Sequence, residues 1–351
     1  MLSKVDAKKA LDKVISKSRV HFYKPIQIAE ILYRIRKYGD INPLNLEDYR
    51  NESKHWRDNI SIQLLGRICT SSARFQDDLF NENAIPPKIL ESLSFENLLN
   101  DGAVEAYIYR KFTNKHTQLF NALSYCRNSN KSNFNVMNFI NSFWNEPGLK
   151  RSLDKIYEII VYSLFSALVD SLNLKIELSV DKCKFDILNE FQDFSKKVMC
   201  LDMKNTKSVQ DAKIYRVGVT NAADRGLDMY SNWGVAIQIK HLSLDTTLAE
   251  NIVNNVSSNK IIIVCKVAEK DVIMSLMTQI GWRSRIQSVI TENDLIDWYE
   301  KALRGKYASI VGDKLMDTLC SEIAEEFPSV TDLPDILKSR HYENITDSFW
   351  R

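Results

Sequence analysis

A carboxylate, an amide and an amine stand at Asp228, Gln238 and Lys240, within the stretch DRGLDMYSNWGVAIQIKHL that runs from Asp224 to Leu242. Two β-like runs flank the turn-rich Ser231-Asn232-Trp233-Gly234, the pattern of a hairpin. On a strand, alternate side chains share a face, so Val235, Ile237 and Ile239 pack one way and Ala236, Gln238 and Lys240 the other. An amide and a lysine on one face of an otherwise apolar strand are costly to bury without partners. Asp228 reaches the Gln238 face when the turn has three or five residues, and the opposite face when it has four. Hydrolysis of a phosphodiester needs a hard cation to polarise the phosphate and make a hydroxide-like nucleophile. Carboxylate and carbonyl oxygens suit magnesium. In that chemistry Asp228 anchors the ion, Gln238 offers its amide oxygen beside the Ile239 carbonyl, and Lys240 stabilises charge on the phosphate or orients the attacking water.

Glu158 is a further clue. It is the only charged residue in IYEIIVYSLFSALV, Ile156 to Val169. A lone carboxylate in so apolar a helix should be paired or metal-linked. If that helix packs beside the hairpin, Glu158 supplies the second negative charge that Gln238 lacks. A rival constellation ranks second: Asp186 with Asp202-Met203-Lys204, on a strand expected from Val198 to Met203. Taken singly, each of these features has an ordinary structural explanation. A strand ending in lysine usually just meets solvent, and only the combination carries weight.

The elements that must position these residues divide at Glu146-Pro147-Gly148. Before that break, helical spacing dominates over 4–18, 26–37, 44–65 and 105–120, with Pro25 well placed at a helix start. After it comes an apolar helix over 152–172. Short β-rich runs follow over 174–180, 198–203, 216–219, 227–230, 235–240, 261–266 and 285–290, with helices over 248–256 and 293–303. The mixture argues for an α/β fold in which a mixed β-sheet is flanked by helices. The expected organisation is a mostly helical N-terminal region over 1–148, an α/β catalytic core over 149–310 and a helical tail over 311–351.

The composition is that of an ordinary globular chain: 351 residues, 44% hydrophobic, 26% charged, net charge +2. The first sixty residues carry a net charge of +5. Six cysteines at 69, 126, 183, 200, 265 and 320 include no CxxC pair, which argues against a usual zinc site and for reduced thiols. The longest apolar run is too short to span a bilayer, and the N-terminus lacks a signal-peptide core. A cytoplasmic location is expected, with no membrane contact. No glycine-rich cofactor loop follows a strand and no NPPY-like tetrad is present, so a DNA methyltransferase is not expected.

The half-motif D-x9-Q-x-K, preceded by a helix with a lone Glu, resembles the PD-(D/E)xK nuclease superfamily. The chain departs from that motif twice: Gln238 stands where an acid is usual, as in some Mrr-like branches, and Leu227 stands where a proline precedes the first Asp. Longer segments, over 18–34, 69–80, 152–169, 215–234 and 291–307, resemble the HaeII-type restriction endonucleases across nearly the whole chain. That resemblance implies a type II enzyme cutting double-stranded DNA at a short palindrome, of the form RGCGCY in that family, with Mg2+. It places Asp228, Gln238 and Lys240 at the superfamily's catalytic positions, with Glu158 beside them, and implies a cognate DNA methyltransferase as functional companion. A palindromic target favours a homodimer. Guanines are commonly read by Arg or Lys. The candidates are Arg67 and Arg74, Arg283 and Arg285 in GWRSR, and Lys54, Trp56 and Arg57; the competing reading of each is a solvated charge or a phosphate contact. Two alternatives remain open: a less specific nuclease of the same superfamily, and a DNA-binding protein on a decayed nuclease fold.

Overall fold

The structure, a computed structural model, describes residues 3–19, 21–68, 78–217, 227–244, 246–256, 258–268, 285–328, 330 and 333–346. The chain divides into two compact units, one of residues 1–157, 218–224 and 320–351, the other of residues 158–217 and 225–319.

The described part of the first unit is helical. Its elements are α1 (Lys4–Lys17), α2 (Tyr23–Tyr38), α3 (Glu52–Leu65), α4 (Pro87–Leu99), α5 (Ala103–Arg127) and α6 (Val136–Trp144). Local chemistry sets their ends. The Ser3 side chain accepts from the Asp6 amide at the start of α1, and Pro87 opens α4 where no amide donor is needed. The helix expected over 44–65 begins only at Glu52. Asn42 and Asp48 close a polar turn upstream, the Asp48 carboxylate accepting from the Asn42 amide at 3.0 Å. Helix α2 lies at the centre: Ile26, Ile28, Ala29, Ile31 and Leu32 are wholly buried, in one core with Leu90, Leu93, Ile108 and Phe112. Leu333, Ile336 and Tyr342 from the C-terminal end join the same core.

The second unit carries the sheet. Helix α7 (Leu153–Leu172) leads into a two-stranded antiparallel ribbon of β1 (Lys175–Ser179) and β2 (Lys207–Asp211). Between those strands lie α8 (Phe185–Glu190) and α9 (Gln192–Met199). The strand expected over 198–203 does not form. Val198 continues the helical spacing of Phe191 and Phe194, and Cys200 ends α9 in a left-handed conformation.

The main sheet has the order β3 (Ile214–Arg216), β4 (Met229–Ser231), β5 (Val235–Leu244), β6 (Lys260–Ala268) and β7 (Ile286–Thr291). Strands β3, β4 and β5 pair antiparallel, whereas β5, β6 and β7 pair parallel. A parallel pair needs a crossover, and α10 (Thr246–Asn255) supplies it between β5 and β6. Helix α11 (Glu292–Arg304) follows β7 through a capping box in which Thr291 and Asp294 satisfy each other's backbone amides. The Tyr299 hydroxyl donates to the Ile160 carbonyl at 2.8 Å and Phe165 meets Trp298, so α7 is fastened to α11. The mixed sheet with flanking helices is the architecture expected from the sequence. Helices α12 (Ala308–Glu326) and α13 (Leu333–Ser339) follow. Among the described residues no helix is long and apolar enough to cross a membrane.

Candidate active site

The hairpin between β4 and β5 turns through three residues, Asn232, Trp233 and Gly234. Gly234 sits at φ +90°, a conformation side chains resist, which lets so short a loop close. The Asn232 side chain accepts from the Lys213 amide and donates to the Asp211 carbonyl, both at 2.8 Å, and the Ser231 hydroxyl accepts from the Val235 amide at 3.0 Å. A three-residue turn has the parity that brings Asp228 to the Gln238 face. Met229 pairs with Ile237, so Asp228, one residue earlier, stands across from Gln238.

The Asp228 carboxylate is the hub. Its Oδ2 accepts from the Ile239 amide at 2.7 Å and from the Gln238 side-chain amide. The Lys240 ammonium lies 3.8 Å from the same oxygen. Gln238 is buried, opposite the wholly buried Ile263 of β6, so an unbonded amide there would carry a desolvation cost. Lys240 pairs with the buried Cys265 but keeps a third of its side chain in solvent. The cluster is therefore anchored in the sheet at Gln238 and open to water at Lys240. The ladder between β5 and β6 shifts register just beyond, between Lys240 and Ser243.

Glu158 is in the same unit, buried on α7 beside Ile159, Ile160 and Val161. Hydrogen bonds and an ion pair join Asp228 to Gln238, Ile239 and Lys240. The rival constellation does not assemble on a strand. Asp186 is exposed on α8, and Asp202 closes a turn, its carboxylate accepting from the Lys204 and Asn205 amides at 2.8 and 2.7 Å. Those two bonds hold the Asp202 carboxyl below its usual range.

The arginines meet different fates. Arg67 donates to the Glu326 carbonyl at 2.9 Å. Arg285 donates to the Ser258 carbonyl at 3.0 Å and to the Val256 carbonyl, just past the end of α10. Arg57 is buried against Gln27 and Asp58. Lys54 and Trp56 are half-buried, and the Arg34 guanidinium lies over the Trp56 ring. Arg74 and Arg283 lie outside the described residues.

Sequence spacing gave no sign of a second polar group. His241 Nε2 and Glu292 Oε2 come within 3.9 Å, both side chains largely buried, on β5 and at the start of α11. Burial pushes the Glu292 carboxyl up, against the pull of Lys266. These three sit at the C-terminal ends of parallel strands, where open α/β sheets gather ligands. Only the strand order brings together residues so far apart in the chain.

Whether a metal fits can be judged from the donors. Among the described residues no cluster of three His, Cys, Asp or Glu side chains could hold an ion alone. Magnesium does not require one, because it binds through one or two carboxylates and completes its shell with waters and substrate phosphates. The Asp228 carboxylate is a hard donor suited to such an ion, and the Gln238 side chain, whose amide nitrogen donates to that carboxylate, carries an amide oxygen of the same hard type.

Comparison with known proteins places the chain in a family. The family model described as HaeII restriction endonuclease matches residues 7–342. The chain is 54% identical over 343 residues to the type II restriction enzyme HaeII of Haemophilus aegyptius, covering 97% of each chain. It is also 54% identical over 351 residues to the type II restriction enzyme NgoBI of Neisseria gonorrhoeae, covering 99% of each. No solved structure matches the chain.

Proposed function

The chain belongs to the HaeII restriction endonuclease family, and from that premise we propose that it is a type II restriction endonuclease whose Asp228–Gln238–Lys240 cluster hydrolyses phosphodiester bonds in double-stranded DNA. The observation that carries the site assignment is the convergence of Gln238, the Ile239 amide and Lys240 on one Asp228 oxygen. The target is a short palindrome of the form RGCGCY.

Asp228 and the Gln238 amide oxygen would hold a divalent cation, Mg2+, which supplies positive charge to the scissile phosphate and an acidified water. The protein's own groups do the rest. The Ile239 amide, a donor fixed in the backbone of β5, holds the Asp228 carboxylate in place. Gln238, packed in the sheet, keeps that carboxylate turned toward Lys240. The Lys240 ammonium, part exposed, meets the phosphate oxygen on which charge grows, or holds the water that attacks it. Glu158 adds negative charge from α7.

Residues 1–148 serve DNA recognition and dimer support, 149–310 form the catalytic core, and 311–351 form the tail. The positive N-terminal segment suits phosphate contacts. A palindromic target is matched by a homodimer. The enzyme acts in the cytoplasm beside a cognate DNA methyltransferase that protects the host sites.

Unmethylated plasmid of known sequence, incubated with magnesium and separately with EDTA, tests the reading. Discrete fragments with magnesium alone, ending within RGCGCY, are expected. A smear would mean a less specific nuclease. Binding without cleavage under any divalent metal would mean that Gln238 marks a lost site.

A further inference from the structure

The sheet face that holds the Asp228 cluster continues past it. Residues paired directly across neighbouring strands share a face. Tyr230 pairs with Ala236 on one side and with Tyr215 on the other, so both tyrosines lie on the face of Gln238 and Lys240. Asp228, two residues before Tyr230, shares it. The Val217 amide donates to the Asp228 carbonyl at 2.9 Å and the Asn232 amide to the Lys213 carbonyl at 3.1 Å, so the ladder of β3 and β4 runs on at both ends. Lys213, exposed, therefore continues the row of Tyr215. Over β5 and β6 this face is covered. Ala236, Ile261, Ile263 and Cys265 share one buried cluster with Ala249, Ile252 and Val256 of α10. Over β3 and β4 it reaches water, and Tyr215 and Tyr230 are 39% and 44% exposed. Their rings stack, with centroids 5.2 Å apart and planes at 23°.

We propose that Tyr215 and Tyr230 bind the DNA backbone beside the scissile bond, their hydroxyls donating to the oxygens of a neighbouring phosphate.

Geometry argues for a neighbouring phosphate over the scissile one. Tyr230 stands two residues from Asp228, about 7 Å along the strand. A DNA strand with its scissile phosphate at Asp228 and Lys240 carries its other phosphates away from the cluster. Helix α10 covers the face on the β6 side, which leaves β4 and β3 as its exposed continuation. Chemistry argues for phosphate. Tyrosine hydroxyls are among the groups that bond phosphate oxygens of DNA and so position it. Among the described residues neither hydroxyl makes a hydrogen bond, so both are available as donors. The stack holds the two rings in place before a substrate arrives, which lowers the cost of binding. Charge fits as well. Along the strands the levels run from Lys213 to the tyrosine pair, then Asp228 with Gln238, then Lys240. A positive charge at each end of that row suits a polyanion. A stacked cross-strand pair also steadies an edge strand, and two phenylalanines would do that equally. Packing leaves the hydroxyls unexplained.

The proposal rests on the reading of Asp228, Gln238 and Lys240 as the cutting site, and its test separates the two. The double variant Tyr215→Phe/Tyr230→Phe of the full chain keeps both rings and loses both hydroxyls. Tyr307→Phe, at an exposed tyrosine elsewhere in the same unit, is the control. Binding of a duplex carrying RGCGCY is followed by fluorescence anisotropy without metal, and single-turnover cleavage with magnesium over a range of enzyme concentrations. The double variant is expected to melt with the wild type and to bind about tenfold more weakly, the scale of losing hydrogen bonds to a charged acceptor. The enzyme concentration for half-maximal cleavage should rise by a like factor, and Tyr307→Phe should match the wild type. Neutral methylphosphonates are then placed at each phosphate of the site in turn. One beside the scissile bond should weaken the wild type and hardly affect the double variant. A double variant that binds like the wild type overturns the proposal, as does the absence of any such phosphate beside the cut. If the wild type cuts while the double variant binds normally, the nuclease reading stands without the tyrosines. If one phosphate shows the coupling but no metal brings about cleavage, the tyrosines stand as backbone contacts and the nuclease reading falls. A wild type that binds no duplex overturns both.

Discussion

Asp228 and Gln238 face each other across a three-residue hairpin, and the Gln238 amide donates to the oxygen that also accepts from the Ile239 backbone. The carboxylate is thus held from two sides while Lys240 approaches from a third. Asp228→Ala removes the hub and Lys240→Ala the only flexible cation of the cluster. Each is expected to lower the cleavage rate by about 10²–10³-fold, the scale of losing one preorganised charge-stabilising group. Duplex binding should survive, because neither residue belongs to the N-terminal positive region. Single-turnover cleavage beside a binding assay decides; wild-type-like cutting by both variants would sink the site assignment.

Gln238→Glu sets a second carboxylate against Asp228 in a buried position. Without a cation the two repel, and the fold suffers. With magnesium the repulsion becomes attraction. The variant is expected to melt a few degrees below wild type in EDTA, to recover most of that in magnesium, and to keep part of its activity. An equal melting temperature with and without metal, together with complete loss of cleavage, would show that Gln238 touches no ion.

Glu158 separates chemistry from packing in a different way. It is buried on α7. Glu158→Gln keeps the volume and removes the charge. If the carboxylate serves the site, cleavage falls at least tenfold and half-maximal activity needs more magnesium, while the melting temperature moves little. A fall in melting temperature with unchanged activity per folded molecule would make Glu158 a structural residue.

The hairpin could be read in the sequence because its information is local. Alternation, a glycine in the turn and the spacing from Asp228 to Lys240 all lie within a few residues. The α/β mixture was equally visible in short β-branched runs such as Ile261 to Lys266. The 198–203 run was misread because Val198, Met199 and Leu201 suit a strand or a helix face equally, and only the i→i−4 bonds of α9 decide. Other features depend on long separations. Glu292 meets His241 because β5, β6 and β7 stand side by side. The C-terminal end looked merely polar after its helix, yet it is tied into the first unit by two buried carboxylates.

Those carboxylates are Glu105 and Glu30. Glu105 accepts from Arg36 Nε and Nη2 at 3.0 Å each, from Asn97 at 2.6 Å, and from the Tyr342 hydroxyl. Glu30 accepts from Tyr109 at 2.6 Å and from Arg340 at 2.7 and 3.0 Å. Glu105→Ala strands a guanidinium, an amide and a phenol together. The expected cost is about 3–5 kcal/mol, the usual result of breaking one side of a buried pair. Glu105→Met combined with Arg36→Met removes both charges and should cost less than the single change. Urea denaturation of the three proteins measures this, and a single variant more stable than the double would contradict it.

Lys115 gives the chain a stability that depends on alkaline pH. It is buried on α5, where its ammonium donates to the Ser18 carbonyl at 2.5 Å and lies 5.2 Å from the centre of the Phe22 ring. Burial, with the Arg151 charge adding to it, pushes its pKa down to about 8 from the ordinary 10.5. Between those two values the unfolded chain holds a proton that the folded chain has released. Stability therefore rises with pH across that window, and the full cost of the buried charge is felt below pH 8. The difference amounts to at most about 3 kcal/mol. Lys115→Met has no such proton to lose. Its stability relative to wild type should be highest near pH 7 and should decline steadily toward pH 10, as read from urea midpoints at each pH. A constant gap between the two proteins from pH 7 to 10 would mean that Lys115 titrates as it does in the unfolded chain.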